Sequence, residues 1–349
     1  MENATIPLEE LALTGLIYVT VNVPIFLLAT NIRAHFSIKK LTKSAPVHFQ
    51  MVPNIDAGTT KIDKRGISKE ASLCINEFVY VLNKYDHIDL KFFYKNMRPF
   101  SIIKARKRWP WDKILGYYDL EEHIISYVGV MRDSLFHELL HLSSTYIFEN
   151  HFFCGFSQEK IDEHGYTIYR IGQGLNEGYT QLLAERYFKE YGDRKGAYPL
   201  FARIASYLEI IIGREKMESL YFDVNLEGLI QELEKVAPRD EIRALIKDLD
   251  YLYASLYGCI HLLPKVWSKS VYQRVLMRLS AMMKKKIDVE NMEGKTDLRE
   301  EKAVLYSVRK YVSKKNHLVY KANAKTNRKL RQNEKVLFYQ SRVSKGVKA

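Results

Sequence analysis

Between Leu135 and Leu142 the chain reads Leu-Phe-His-Glu-Leu-Leu-His-Leu, an apolar run that carries two histidines and a glutamate. This run constrains the fold more tightly than any other segment. At 3.6 residues per turn, His137 and His141 project from one face of a helix, and Glu138 stands one position round at the edge of that face. The flanking Leu135, Phe136, Leu139, Leu140 and Leu142 are apolar, which places the helix in the interior. Buried imidazoles need partners. A divalent metal is one such partner, because zinc takes neutral nitrogen and carboxylate ligands and keeps a fourth position open for catalysis. The bland alternative is a pair of hydrogen-bonded core histidines beside a surface glutamate.

A third ligand decides between these readings. The metzincin continuation requires Gly at position 144 and His at 147, where the chain has Ser144 and Ile147. His151 and His164 lie nearby without a ligand context. Glu177 stands in Gly174-Leu175-Asn176-Glu177-Gly178-Tyr179-Thr180, at the start of the next strong helical pattern, from which a carboxylate reaches a metal held by a neighbouring helix. A structural role is open to it too: Asn176 as cap and Glu177 at the positive end of the helix.

From Gly116 to Tyr187 the sequence resembles the gluzincin metallopeptidases, above all the aminopeptidase N branch and more distantly thermolysin. The resemblance implies that His137, His141 and Glu177 are ligands of Zn2+ and that Glu138 is the general base. It also implies a zinc-dependent metallopeptidase in which Glu138 activates the zinc-bound water. Two features depart from the pattern. The spacer of 35 residues between His141 and Glu177 is longer than in either named enzyme, and Gln181 occupies the position where thermolysin has an aspartate that orients a histidine. A counterpart of the amine-binding motif of aminopeptidase N is missing, so an exopeptidase is not implied. For the oxyanion donor, usually Tyr or His in gluzincins, Tyr198, Tyr221, Tyr257 and His261 are candidates. The strand at Gly116–Tyr118, or its hairpin partner, is a candidate edge for pairing with an extended peptide substrate. Hydrolysis of a non-peptide amide or ester fits the same ligand set. A basic binding protein with an inactive zincin-like core, associated with membrane or nucleic acid, is the rival from another class.

The expected architecture is α+β, a zincin-like core with a predominantly helical C-terminal part. Apolar spacing predicts a helix over Ser68–Lys84, a strand over Ile88–Tyr94 and a β-hairpin from Gly116–Asp119 and Ile124–Tyr127. It then predicts the His-Glu-x-x-His helix from Asp133 or Ser134 to about Glu149. A strand pair over Phe152–Gln158 and Tyr166–Ile171 follows, and a helix opens at Asn176. Helices over Leu200–Ile212, Leu226–Val236, Arg239–Tyr257, Val271–Lys286 and Leu298–Lys314 complete the pattern, and no internal repeat occurs. Three parts result: an apolar N-terminal segment over 1–45, a zincin-like metallopeptidase domain over 46–263 and a basic helical tail over 264–349.

The net charge of +13 belongs to that tail, since residues 265–349 hold 23 Lys and Arg against 7 Asp and Glu. Lys284-Lys285-Lys286, Arg309-Lys310, Lys314-Lys315 and Arg328-Lys329 suit an anionic membrane surface, or less readily nucleic acid. Their plainer reading, as solvated helix faces on a basic protein, is the one favoured. Leu11–Ile32 carries no charge and is long enough to cross a bilayer, with acids before it and Arg33, Lys39, Lys40 and Lys43 after it. It reads either as an anchor that leaves the rest at the cytoplasmic face or as a buried strand and helix. The scattered Cys74, Cys154 and Cys259 form no CxxC pair, so neither a disulfide framework nor a cysteine zinc site is indicated, and an intracellular setting is favoured.

Overall fold

The computed structural model describes residues 67–97, 101–104, 116–119, 124–127, 131–164, 166–188, 198–257 and 265–313. The apolar segment 11–32, His261 and the basic residues from 314 onward lie outside this set.

Helix α1 (Lys69–Leu82) starts at Ser68, whose hydroxyl accepts the Ala71 N–H at 3.2 Å. Its inward face is Ala71, Ile75, Phe78 and Leu82, spaced as a helix requires. The stretch expected as a strand over Ile88–Tyr94 is instead a turn followed by a short helix, α2 (Lys91–Asn96). The Asp89 carboxylate accepts the Lys91 N–H at 2.9 Å, an anchor at the helix start that favours the helical turn over extension.

Strands β1 (Ser101–Lys104), β2 (Gly116–Asp119) and β3 (Ile124–Tyr127) form a sheet in the order β1-β3-β2. The expected hairpin is present, with β2 antiparallel to β3, while β1 joins β3 in parallel. Helix α3 (Met131–Ser143) follows directly and packs on β2 and β3, with α1 and α2 also against it. It ends a turn and a half earlier than its apolar pattern predicts. The hydroxyls of Ser143 and Ser144 donate back to the Leu140 carbonyl (2.8 and 3.0 Å) and that of Thr145 to the His141 carbonyl (2.6 Å), which occupies the acceptors a further turn would use.

Where a strand pair was expected the chain forms a four-stranded antiparallel meander, β4 (Thr145–Phe148), β5 (His151–Cys154), β6 (Ser157–Ile161) and β7 (Thr167–Ile171). The expected strand Tyr166–Ile171 is β7, but Phe152–Gln158 is split between β5 and β6 by a tight turn at Gly155, whose φ of 52° favours glycine. Helix α4 (Gln173–Tyr187) then begins three residues before Asn176, so Asn176 is an interior residue of the helix and not its cap. Its first turn is held from another element. The Asp250 carboxylate accepts the N–H groups of Gly172 (2.7 Å) and Gly174 (2.9 Å), and burial pushes this carboxyl up to about 7 against the pull of those backbone donors.

The remainder is helical: α5 (Pro199–Ile212), α6 (Arg214–Phe222), α7 (Leu226–Glu234), α8 (Arg239–Tyr257), α9 (Lys265–Met292) and α10 (Arg299–Ser313). The sequence pattern leaves α6 out and makes α9 shorter. Helix α4 lies between α5 and α8, and two glycines allow the approach. A Cβ on Gly178 would stand 2.5 Å from the Phe201 carbonyl group, and one on Gly174 would stand 2.5 Å from the Leu249 oxygen. A buried ion cluster ties the far end of α4 to its neighbours, with Arg186 on Glu209 and on Glu218 (2.6 Å), and His87 on the other Glu218 oxygen (2.6 Å).

One apolar core includes Ile75, Leu139, Leu183, Leu208, Leu249, Leu279 and Val308. The boundary at residue 264 therefore marks a change of charge, while α9 and α10 share the core of the residues before it. A smaller cluster of Phe92, Tyr146, Phe153 and Val224 fastens the meander to α2. Among the described residues no helix is long and apolar enough to cross a membrane.

Candidate metal centre

Helices α3 and α4 pack face to face and bring three side chains to one point. The Nε2 atoms of His137 and His141 are 3.1 Å apart, and Glu177 Oε2 stands 3.3 Å from the first and 3.5 Å from the second. Among the described residues this is the group of His, Cys, Asp or Glu able to hold a metal ion. Ligands about 2.0–2.1 Å from one tetrahedral ion are about 3.3–3.4 Å from each other. The observed triangle has that size, and its donor set of two imidazoles and a carboxylate suits zinc.

The surroundings bury most of this cluster. His137, Glu138 and His141 are each less than a tenth exposed. Burial works against a charged His141, but the Glu177 carboxylate and Cys154 outweigh it and hold its pKa well above the ordinary histidine value. Burial also opposes the Glu177 carboxylate, yet His141 and His137 hold its pKa far below the usual carboxylate range. For Glu138 burial prevails and raises its pKa, against the pull of the two histidines. A carboxylate with raised basicity beside a triangle able to hold a metal suits general-base chemistry.

The other sequence candidates separate clearly. Tyr198 lies against the site, its ring centroid 5.7 Å from that of His137. Tyr257 packs edge-on to Tyr198 at 4.8 Å as part of an aromatic wall. Tyr221 is fully buried behind the site, with its hydroxyl 2.7 Å from that of Thr180. His151 packs with Phe153 and Tyr169, on the opposite side of β5 from Cys154. His164 is exposed beside Glu163 at 3.6 Å. Neither histidine joins the triangle. Gln181 donates to Glu185 at 3.1 Å, and the side chains facing Nδ1 of His141 are those of Cys154 and Asn176, both at 3.4 Å.

Two residues escape sequence reasoning. Tyr253 hydrogen-bonds Tyr198 and lies within the electrostatic reach of Glu177 and His141. Its one legible signal is a position four residues before Tyr257 on α8, which puts both tyrosines on the same face. Cys154 gives no signal at all, since its role depends on the folding of β5 over the end of α3. Compared with known proteins, the chain matches no family model, no curated protein and no solved structure.

Proposed function

We propose that this protein is a zinc-dependent metallopeptidase of the gluzincin type, with a zincin-like core formed by the β1–β3 sheet, α3 and α4. The observation that carries this reading is the triangle of His137, His141 and Glu177, whose edges of 3.1, 3.3 and 3.5 Å match the spacing of ligands around one tetrahedral ion.

Zinc bound there supplies a Lewis acid that polarises the scissile carbonyl and acidifies the attacking water. The chain's own groups do the rest. Glu138 takes the proton of the attacking water and passes it to the leaving nitrogen. A phenol from the Tyr198–Tyr253 pair donates to the oxygen that gains charge as the carbonyl becomes tetrahedral. Strand β2 is at an edge among the described strands and lies over α3, a place suited to pairing with an extended peptide. Desolvation by the apolar packing around α3 strengthens each of these charge interactions.

Metal content and a pair of variants test the reading. The purified protein is expected to hold about one zinc per chain and His141→Ala to lose it. Glu138→Gln is expected to keep the zinc and lose peptide hydrolysis by about 10²- to 10⁴-fold. A Glu138→Gln variant with full activity would remove Glu138 from the mechanism. Zinc retention without hydrolysis of peptides, amides or esters would favour the inactive-core reading, for which the exposed Lys284, Lys285, Arg309 and Lys310 of α9 and α10 offer a basic surface.

A further inference from the structure

We infer that Cys154 is a positioning residue that fixes the metal-binding orientation of His141 by accepting its Nδ1–H. The inference rests on the reading of His137, His141 and Glu177 as a zinc site, and names a group that the metallopeptidase signature does not contain.

A histidine that binds metal through Nε2 carries its hydrogen on Nδ1, and the acceptor of that hydrogen sets the ring's angle and tautomer. Two side-chain atoms face Nδ1 of His141 at 3.4 Å, the Cys154 sulfur and the Asn176 amide nitrogen. The orientation of the amide is fixed from its other end, because Asn176 Oδ1 accepts the Phe156 N–H at 3.1 Å. Asn176 therefore presents a donor toward Nδ1, and two N–H groups cannot satisfy each other. Of these two neighbours, sulfur has the lone pairs. The same sulfur lies 3.6 Å from Asn176 Nδ2, so it accepts from both donors.

The thiol's own hydrogen has a place as well. The His141 carbonyl oxygen is 3.9 Å from Sγ, within range of a weak S–H donor. Cys154 thus grips His141 at ring and backbone together, from a strand that is antiparallel to β4 and begins its turn directly beside the end of α3. With Sγ on the Nδ1 side, the metal-binding Nε2 points away from it, so the sulfur supports the ligand without being one.

Zinc affinity, measured by competition with a chromophoric chelator, tests this on the full chain. Cys154→Ala and Cys154→Val are expected to bind zinc about 10- to 100-fold more weakly, and Cys154→Asp, which restores an acceptor, to recover most of the loss. Cys154→Ser, the smallest change, is expected to fall between them and carries the test if a larger variant fails to melt cooperatively. Replacement of zinc by cobalt is expected to give no sulfur-to-cobalt charge-transfer band in the near ultraviolet. Wild-type affinity in Cys154→Ala, an Asp variant as weak as Ala, or a strong charge-transfer band would each overturn the inference. Failure of the underlying site is distinguishable, because then the wild-type protein itself would bind no zinc and His141→Ala would change nothing.

Discussion

Residue type and spacing are what make the cluster of His137, Glu138, His141 and Glu177 legible in the chain. Their chemistry is local to two short motifs, and the helix pitch converts spacing into a shared face. Tyr253 and Cys154 belong to the same site through space alone. For the tyrosines the structure permits a choice that composition does not. Tyr198 stands against His137, with ring centroids 5.7 Å apart, and Tyr253 hydrogen-bonds it from α8. On the proposed reading Tyr198 is the oxyanion donor and Tyr253 supports it. Tyr198→Phe is expected to lower kcat by about 10²-fold with zinc content unchanged, and Tyr253→Phe by less. Steady-state kinetics on a peptide substrate would sink this if Tyr253→Phe proved the more damaging.

Elements depend on the balance between apolar pattern and local hydrogen bonding, and the expectations that failed did so where the second prevailed. The run Ile88–Tyr94 alternates well enough for a strand, but Asp89 starts a helical turn, and Phe92 and Phe93 bury side by side, which a strand cannot do against one layer. The continuation of α3 to Glu149 is apolar enough, but three consecutive hydroxyls close it at Ser143. Helix α4 shows the opposite case, since Gly178 in the Asn-Glu-Gly sequence is legible as a close approach once its neighbour is known. Gly178→Ala would drive a methyl group into the backbone of Phe201, which cannot rotate away as a side chain would. The expected cost is about 3 kcal/mol, at the upper end for overpacking, with weaker zinc binding because Glu177 moves with the helix. Urea unfolding measures the first effect, and an unchanged midpoint would show that α5 yields more easily than its packing implies.

At the scale of the molecule, charge and packing divide the chain differently. Composition separates a basic tail from a near-neutral body at residue 264, and electrostatics alone would make that tail a removable appendage. The core disagrees. Val271, Val275, Leu276, Leu279, Met282, Met283 and Val308 are buried in the same cluster as the residues of α5 and α8. Deletion of residues 265–349 is therefore expected to expose a large apolar surface and to abolish cooperative thermal unfolding. A soluble, cooperatively melting fragment 1–264 would show that the tail only leans on the body. The helical make-up of the part beyond Pro199 was legible because helical periods dominate there; how far the core extends was not, since periodicity shows which face is apolar and not what covers it.

The pairing of His141 with Glu177 has one more consequence. The Glu177 carboxylate favours the charged form of His141, and His141 favours the ionised form of Glu177, so a proton on this cage opposes any cation that would bind there. Proton and metal are competitors for the same seat. Uptake of zinc must expel hydrogen ions into the buffer, and the apparent association constant should climb with pH until the imidazole no longer holds its proton, then level off. Calorimetry in two buffers of different ionisation enthalpy would count the ions released; a count of zero at neutral pH would mean that the triangle is held together by something other than charge.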